Sequence, residues 1–151
     1  MKIAIISDSH DVYNTLWEEK WKECKYCFHV GDFITNENYQ KFVEWFGQDK
    51  FFAVQGNLDE KISNKLSKMQ MVDLHDYRFC LIHNKAFAED WMLKDVNFLI
   101  SGHTHCYQES KFDNIYCINP GSIGDDRGHG KSFVILTIED NGDWKTEKIQ
   151  V

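Results

Sequence analysis

KIAIISDSH, residues 2–10, is an unbroken apolar run from Lys2 to Ser7 that gives way abruptly to Asp8, Ser9 and His10. Such a run predicts a strand buried on both faces, as in a parallel sheet, and sets an acid and an imidazole beyond its carboxyl end. Downstream, Val12 and Leu16, then Tyr13, Trp17 and Trp21, recur at helical spacing. They predict an amphipathic helix with its aromatic face in the core. Tyr26 to Val30 is a second apolar run, closed by Gly31-Asp32. Asn36 can then cap a helix with Tyr39, Phe42, Val43 and Phe46 on one face and Gly47 as its stop. Phe51 to Val54 makes a third strand, ending at Gly56-Asn57. Strand and helix alternate from the start, which argues for a parallel sheet covered by helices.

The second half is richer in strands. Met71 to Leu74 and Tyr77 to Ile82 flank a tight turn at His75-Asp76, and His83 closes the second of them. A short helix over Phe87 to Leu93 leads to a strand over Asn97 to Ser101, which ends at Gly102-His103-Thr104-His105. Glu109 to Asp113, Ile115 to Ile118, Ser132 to Glu139 and Trp144 to Val151 complete the strands, the last two joined by an Asn141-Gly142 turn. The expected fold is α/β or α+β: two mixed sheets packed as a sandwich flanked by helices, in one domain over residues 1–151.

Bulk properties agree with a packed domain. The 151 residues include 42% hydrophobic residues, 15% aromatics and a single proline, unlike a disordered or low-complexity chain. The aromatics are equally compatible with core packing and with a homodimer surface. Charge is −7, from 24 acids and 17 bases with no basic stretch, so binding to duplex nucleic acid is not expected. An anionic substrate would need a local cationic centre, which bound metal supplies. The five cysteines are odd in number, and Cys24-x-x-Cys27 lacks partners at zinc-finger spacing, so reduced thiols are expected. Neither a secretory h-region nor a membrane span is recognisable, and cytoplasmic residence is the default expectation.

Five strands end in Asp, Asn or His: Asp8 and His10, Asp32, Asn57, His83, then His103 and His105. Singly, each is an ordinary turn, cap or hydrogen-bonded side chain. Together they are carboxylate, amide oxygen and imidazole without thiolate, a donor set for divalent metal. Ligands of open α/β sheets bind beyond the carboxyl ends of strands, where these residues could meet.

The ordered set Asp8-x-His10, Gly31-Asp32, Gly56-Asn57-Leu58-Asp59, His83, Gly102-His103-Thr104-His105 and Asn119-Pro120-Gly121-Ser122 resembles the calcineurin-like metallophosphoesterases, in particular their compact phosphodiesterase branch. The resemblance implies two divalent ions, manganese first, with nickel, zinc and iron as alternatives. Asp8, His10 and His105 would hold one, Asn57, His83 and His103 the other, and Asp32 would bridge them. It implies that a hydroxide between the metals attacks a small phosphate ester, with Asp32, Asn57 and His103 around the reacting centre. A bridging carboxylate keeps two cations about 3.5–4 Å apart, a spacing suited to phosphoryl transfer.

Phosphomonoesterase members usually carry a histidine after the Gly-Asn pair, thought to protonate the leaving oxygen; here that place is Leu58. General-acid help is worth ~10²–10⁴ in rate, so its absence favours diesters or good leaving groups. Arg127 and His129, in a glycine-flanked loop, are candidates to reach the phosphate, and His29 and Asp59 to orient ligands. Asn84 replaces a usual glycine, and the stretch from His83 to His103 is short, implying a shallow, open rim. Competing expectations are a non-catalytic scaffold resembling a retromer subunit, a phosphomonoesterase or phosphoprotein phosphatase, and, more weakly, a nuclease.

Overall fold

A computed structural model describes residues 1–62 and 65–151. The strands are β1 (Lys2–Ile6), β2 (Tyr26–His29), β3 (Phe51–Ala53), β4 (Met69–Leu74), β5 (Tyr77–Ile82), β6 (Phe98–Ile100), β7 (Tyr107–Phe112), β8 (Ile115–Pro120), β9 (Ser132–Ile138) and β10 (Trp144–Gln150). The helices are α1 (Leu16–Trp21) and α2 (Asn36–Phe46). One sheet has the order β10-β9-β1-β2-β3, the other β4-β5-β6-β8-β7. Each contains a parallel trio, β1-β2-β3 or β5-β6-β8, extended by antiparallel strands. The two mixed sheets and few helices agree with the architecture expected from sequence.

Alternation along β1 explains the layering. Ile3 and Ile5 point into the core between the sheets, with Phe28, Phe79, Leu81, Phe98 and Ile100. Ala4 and Ile6 point the other way, under Trp17, Trp21, Phe42 and Phe46 of the helical layer. A period of two on a strand buried on both faces therefore builds two cores at once. The outer face of the second sheet is covered more thinly, by Val96, Met92 and Leu93 over Cys80, Ile82 and Leu99.

Local departures from the sequence reading have local causes. α1 starts only at Leu16, and that side chain is 74% exposed, whereas Trp17 and Trp21 are buried. The aromatic face alone holds this six-residue helix to the core. Thr35, not Asn36, caps α2, its hydroxyl accepting from the Asn38 N–H at 3.1 Å. Gly47 ends the helix as expected, at φ 83° with its N–H on the Val43 carbonyl. Phe87 to Leu93 forms two 3₁₀ turns, Lys85–Phe87 and Asp90–Leu93, in place of one helix. His75-Asp76 is the two-residue turn of the β4–β5 hairpin. The β9–β10 connection is wider than Asn141-Gly142, with the Glu139 N–H closing it on the Asp143 carbonyl.

All five cysteines are unbonded, and burial pushes the thiol of Cys24 up to about 11 and that of Cys27 well above its ordinary value. Among the described residues no helix is long and apolar enough to cross a membrane.

Trp21 is fully buried and packs on Tyr13, Trp17, Phe42, Phe46 and Phe133. Trp21→Ala is expected to lower unfolding free energy by about 3–5 kcal/mol in urea titration. A loss below about 1 kcal/mol would contradict this account of the helical layer.

Candidate metal centre

Both parallel trios point their carboxyl ends at one rim. β1 delivers Asp8 and His10, β2 Asp32, β3 Asn57, β5 His83, and β6 His103 and His105. Leaving the strands towards a common point requires tight reversals, and Asp8, His10, Asp32, His103 and His105 all have φ between 45° and 71°. Non-glycine residues in this left-handed region cost of order 1 kcal/mol or more each and cluster at functional sites. Gly31 meets a related demand at φ 99°, since a Cβ there would lie 2.5 Å from Gly56 N and 2.9 Å from His83 Nδ1.

Backbone and hydroxyl donors hold one oxygen of each aspartate and leave the other free. Asp8 Oδ2 accepts from the Ser7 hydroxyl and, at 3.0 Å, from His103 N–H. Asp8 Oδ1 is buried without a donor among the described residues, 3.2 Å from His105 Nε2. Asp32 Oδ1 accepts from Leu58 N–H at 2.9 Å. Its Oδ2 lies 3.7 Å from His10 Nε2 and 3.4 Å from His83 Nε2, so one oxygen faces both halves of the site. Asp59, anticipated as an orienting residue, accepts from the N–H groups of Asp32, Gly56 and Ile34.

The histidines are oriented from behind. His83 Nδ1–H donates to the Val30 carbonyl at 2.6 Å, so the neutral ring carries a lone pair on Nε2. That lone pair faces Asn57 Oδ1 at 3.0 Å, and His103 Nδ1 approaches the same oxygen at 3.1 Å. His105 Nδ1–H donates to the Asp125 carbonyl, turning its Nε2 lone pair on Asp8 Oδ1. His10 Nε2 and His105 Nε2 are also buried and unpartnered among the described residues. Lone pairs set against lone pairs in a buried site repel unless a proton or a cation lies between them. Asp8, His10, Asp32 and His105 could thus share one ion, their donor atoms lying within 4.8 Å of one another. Asp32, Asn57, His83 and His103 face each other beside them.

Titration follows the same crowding. Burial opposes ionisation of Asp32, but the His10 and His83 contacts and the Leu58 N–H outweigh it and hold this carboxyl well below the usual range. Burial likewise opposes the charged form of His83, yet Asp32 and Asp8 raise it, while Asp8 directly raises His105. His29, buried on Phe33, is pushed well below the ordinary value by desolvation. It accepts from Gly31 N–H and contacts the Ser9 hydroxyl at 3.1 Å, bracing the Asp8–His10 loop.

Asn119-Pro120-Gly121-Ser122 supports the site from behind. The Asn119 amide donates to Gly102 O at 2.8 Å and Thr104 Oγ1 at 3.0 Å, and the Ser122 hydroxyl to Asp8 O at 2.7 Å. Arg127 stands at the edge, its Nε 4.0 Å from Asp125 Oδ2, and His129 is exposed farther along the loop. Asp125 was missed by the sequence reading: its Oδ2 lies 3.9 Å from Nδ1 of both His10 and His105. The signal available was general, since a ligating histidine needs an acceptor behind it. Asn84 Oδ1 caps the first 3₁₀ turn, and the two turns wall a cleft of about 580 Å³ beside Asn57, His83 and His103.

Comparison with known proteins places the fold and the family. A probable metallophosphoesterase of Methanocaldococcus jannaschii is 28% identical over 155 residues, covering 93% of this chain and 77% of the relative. In fold the chain is similar to Vps29 of Chaetomium thermophilum, with a TM-score of 0.76, 15% identity and coverage of 100% and 95%. It is also similar to an archaeal phosphodiesterase, with a TM-score of 0.72, 22% identity and coverage of 99% and 100%. The profile of the calcineurin-like phosphoesterase superfamily domain matches residues 1–141. A match of that extent, with the metal-ready cluster, makes the chain a member of the calcineurin-like phosphoesterase superfamily.

Proposed function

We propose that the chain hydrolyses a phosphodiester at a dinuclear centre held by Asp8, His10, Asp32, Asn57, His83, His103 and His105. The observation carrying this reading is the single Asp32 oxygen that faces His10 on one side and His83 on the other. When bound, two divalent ions supply Lewis acidity and ionise water near neutral pH. Manganese is the expected metal, with nickel, zinc or iron as alternatives.

The chain's own part is positional. Asp32 keeps its free oxygen central because Leu58 N–H and Asp59 fix the segments on either side. Asn57 and His103 lie on the more exposed side, where a phosphate reaches the centre from the cleft. Arg127, with its Nε 4.0 Å from Asp125 Oδ2, and exposed His129 in the same loop are the side chains proposed to meet a phosphate oxygen. Leu58 brings no acid to the leaving oxygen, which supports diester over monoester substrates. Its N–H serves Asp32, while its side chain is 44% exposed. Five unbonded thiols support residence in a reducing compartment such as the cytoplasm. The likeness in fold to Vps29 supports a second reading, a non-catalytic scaffold.

Metal analysis of the manganese-loaded chain is expected to give two ions per chain, reduced to one or fewer in Asp32→Asn. One ion in the unsubstituted chain would contradict the bridged centre. With manganese, bis(p-nitrophenyl) phosphate is expected to be hydrolysed faster than p-nitrophenyl phosphate; a strong monoester preference would contradict the role given to Leu58. No turnover with manganese, nickel or zinc would favour the scaffold.

The raised His83 and His105 fix a pH dependence. Their stabilising protons are fully bound below the unfolded histidine value, about 6.5, and are lost as pH rises through the higher folded values. Thermal unfolding of chelator-treated protein is therefore expected at lower temperature at pH 8 than at pH 6.5. Metal competes with the same protons, so the shift caused by manganese should grow over that window. A chelated protein equally stable at both pH values would contradict the assignment.

A further inference from the structure

The cleft beside Asn57, His83 and His103 has walls of a different chemistry from the centre it joins. Met69 and Ile82, opposite each other in the β4–β5 register, and Phe87 and Met92, from the two 3₁₀ turns, make it largely apolar. Phe87 is 71% exposed at the rim. Away from the Asn57–His83–His103 end, the polar groups of its lining are Gln55, Glu60, Lys68, Asn84 and Glu89. A phosphate cannot settle among methionines, isoleucine and phenylalanine without losing its hydration. Whatever fills the cleft is thus the organic part of a molecule whose phosphate lies at the Asn57–His83–His103 end.

We infer that this cleft binds a flat aromatic substituent of the phosphate ester, either an aryl group or a nucleobase. This inference rests on the phosphoester reading above. Two thioethers and a phenyl ring are suited to an aromatic face, through sulfur–aromatic and edge-to-face contacts. At about 580 Å³ the cleft falls in the range of sites for whole small molecules, far larger than phosphate or a methyl ester requires. The Gln55 amide and Lys68 ammonium can serve polar atoms at the edge of such a ring. A charge of −7 without a basic track argues for a small ester over a polynucleotide. The walls are built to stay in place: Asn84 caps the first 3₁₀ turn, and Trp91 Nε1–H donates to Glu89 Oε2 at 3.1 Å beside the second.

The test is calorimetric titration of the manganese-loaded full chain with probes that carry no cleavable P–O–C bond: methylphosphonate, phenylphosphonate, and the carbon-bridged phosphonate analogues of 2-deoxyribose 5-phosphate and thymidine 5′-phosphate. At least one aromatic probe should bind about tenfold more tightly than its non-aromatic counterpart, and Phe87→Ala combined with Met92→Ala should bring that ratio close to one. A gain confined to phenylphosphonate identifies an aryl ester; a gain confined to the thymidine analogue identifies a nucleobase. Equal affinities within both pairs, or a ratio unmoved in the folded double variant, overturn the inference even if diesters are hydrolysed. An aromatic preference in a chain that hydrolyses nothing upholds the cleft and counts against the hydrolase reading alone.

Discussion

Every part of this fold answers to one electrostatic constraint: carboxylate and imidazole lone pairs must be held against each other in a buried place. Left alone, these groups would rotate towards water or take up protons. They are prevented from rotating by partners on their far sides: the Ser7 hydroxyl and His103 N–H donate to Asp8, Leu58 N–H donates to Asp32, and the Val30 and Asp125 carbonyls accept from His83 and His105. A free carboxylate oxygen and a free imidazole nitrogen are therefore consequences of satisfied neighbours. The cluster is a repulsive arrangement maintained by attractive contacts around it, and a cation between the lone pairs would relieve the repulsion.

Two parallel trios are an efficient way to meet that constraint. Parallel strands all end at the same edge, so each adds one donor without a long excursion. Packing the trios face to face through Ile3, Ile5, Phe28, Phe79, Leu81 and Phe98 brings the two edges together. The left-handed backbone at Asp8, His10, Asp32, His103 and His105 is then tolerable because the strands beneath are rigid. Ser122 ties the second edge to the first through Asp8 O, and Asn119 braces the His103–His105 turn of its own sheet through Gly102 O, which is the physical content of the Asn-Pro-Gly-Ser segment.

Much of this was legible in the chain. The run Ile3 to Ile6 ending at Asp8 announced a buried parallel strand with a site at its tip, and the same grammar recurred at Asp32, Asn57, His83 and His103. Backbone geometry was not legible: no sequence signal says that Asp8 or His105 adopts φ > 0, because glycine is the usual marker and it is absent there. Thr35 and Asn36 are both competent caps, and only the register of α2 on the sheet chooses between them. Leu16 fits the helical period yet faces water, since six residues of α1 anchor through two tryptophans. Asp125 works partly through its main-chain carbonyl, which carries no residue signature.

The strand order also determines how the molecule meets its own kind. Of the four outer strands, β3 is three residues long, β7 carries Glu109 and Lys111, β10 carries Lys145, Glu147 and Lys148, and β4 is six residues long with Asp73 as its one charge. Short or charged outer strands are poor templates for ladder extension, so the β3, β7 and β10 margins resist fibril-like growth, and β4 is the margin where a strand of another chain would add most readily.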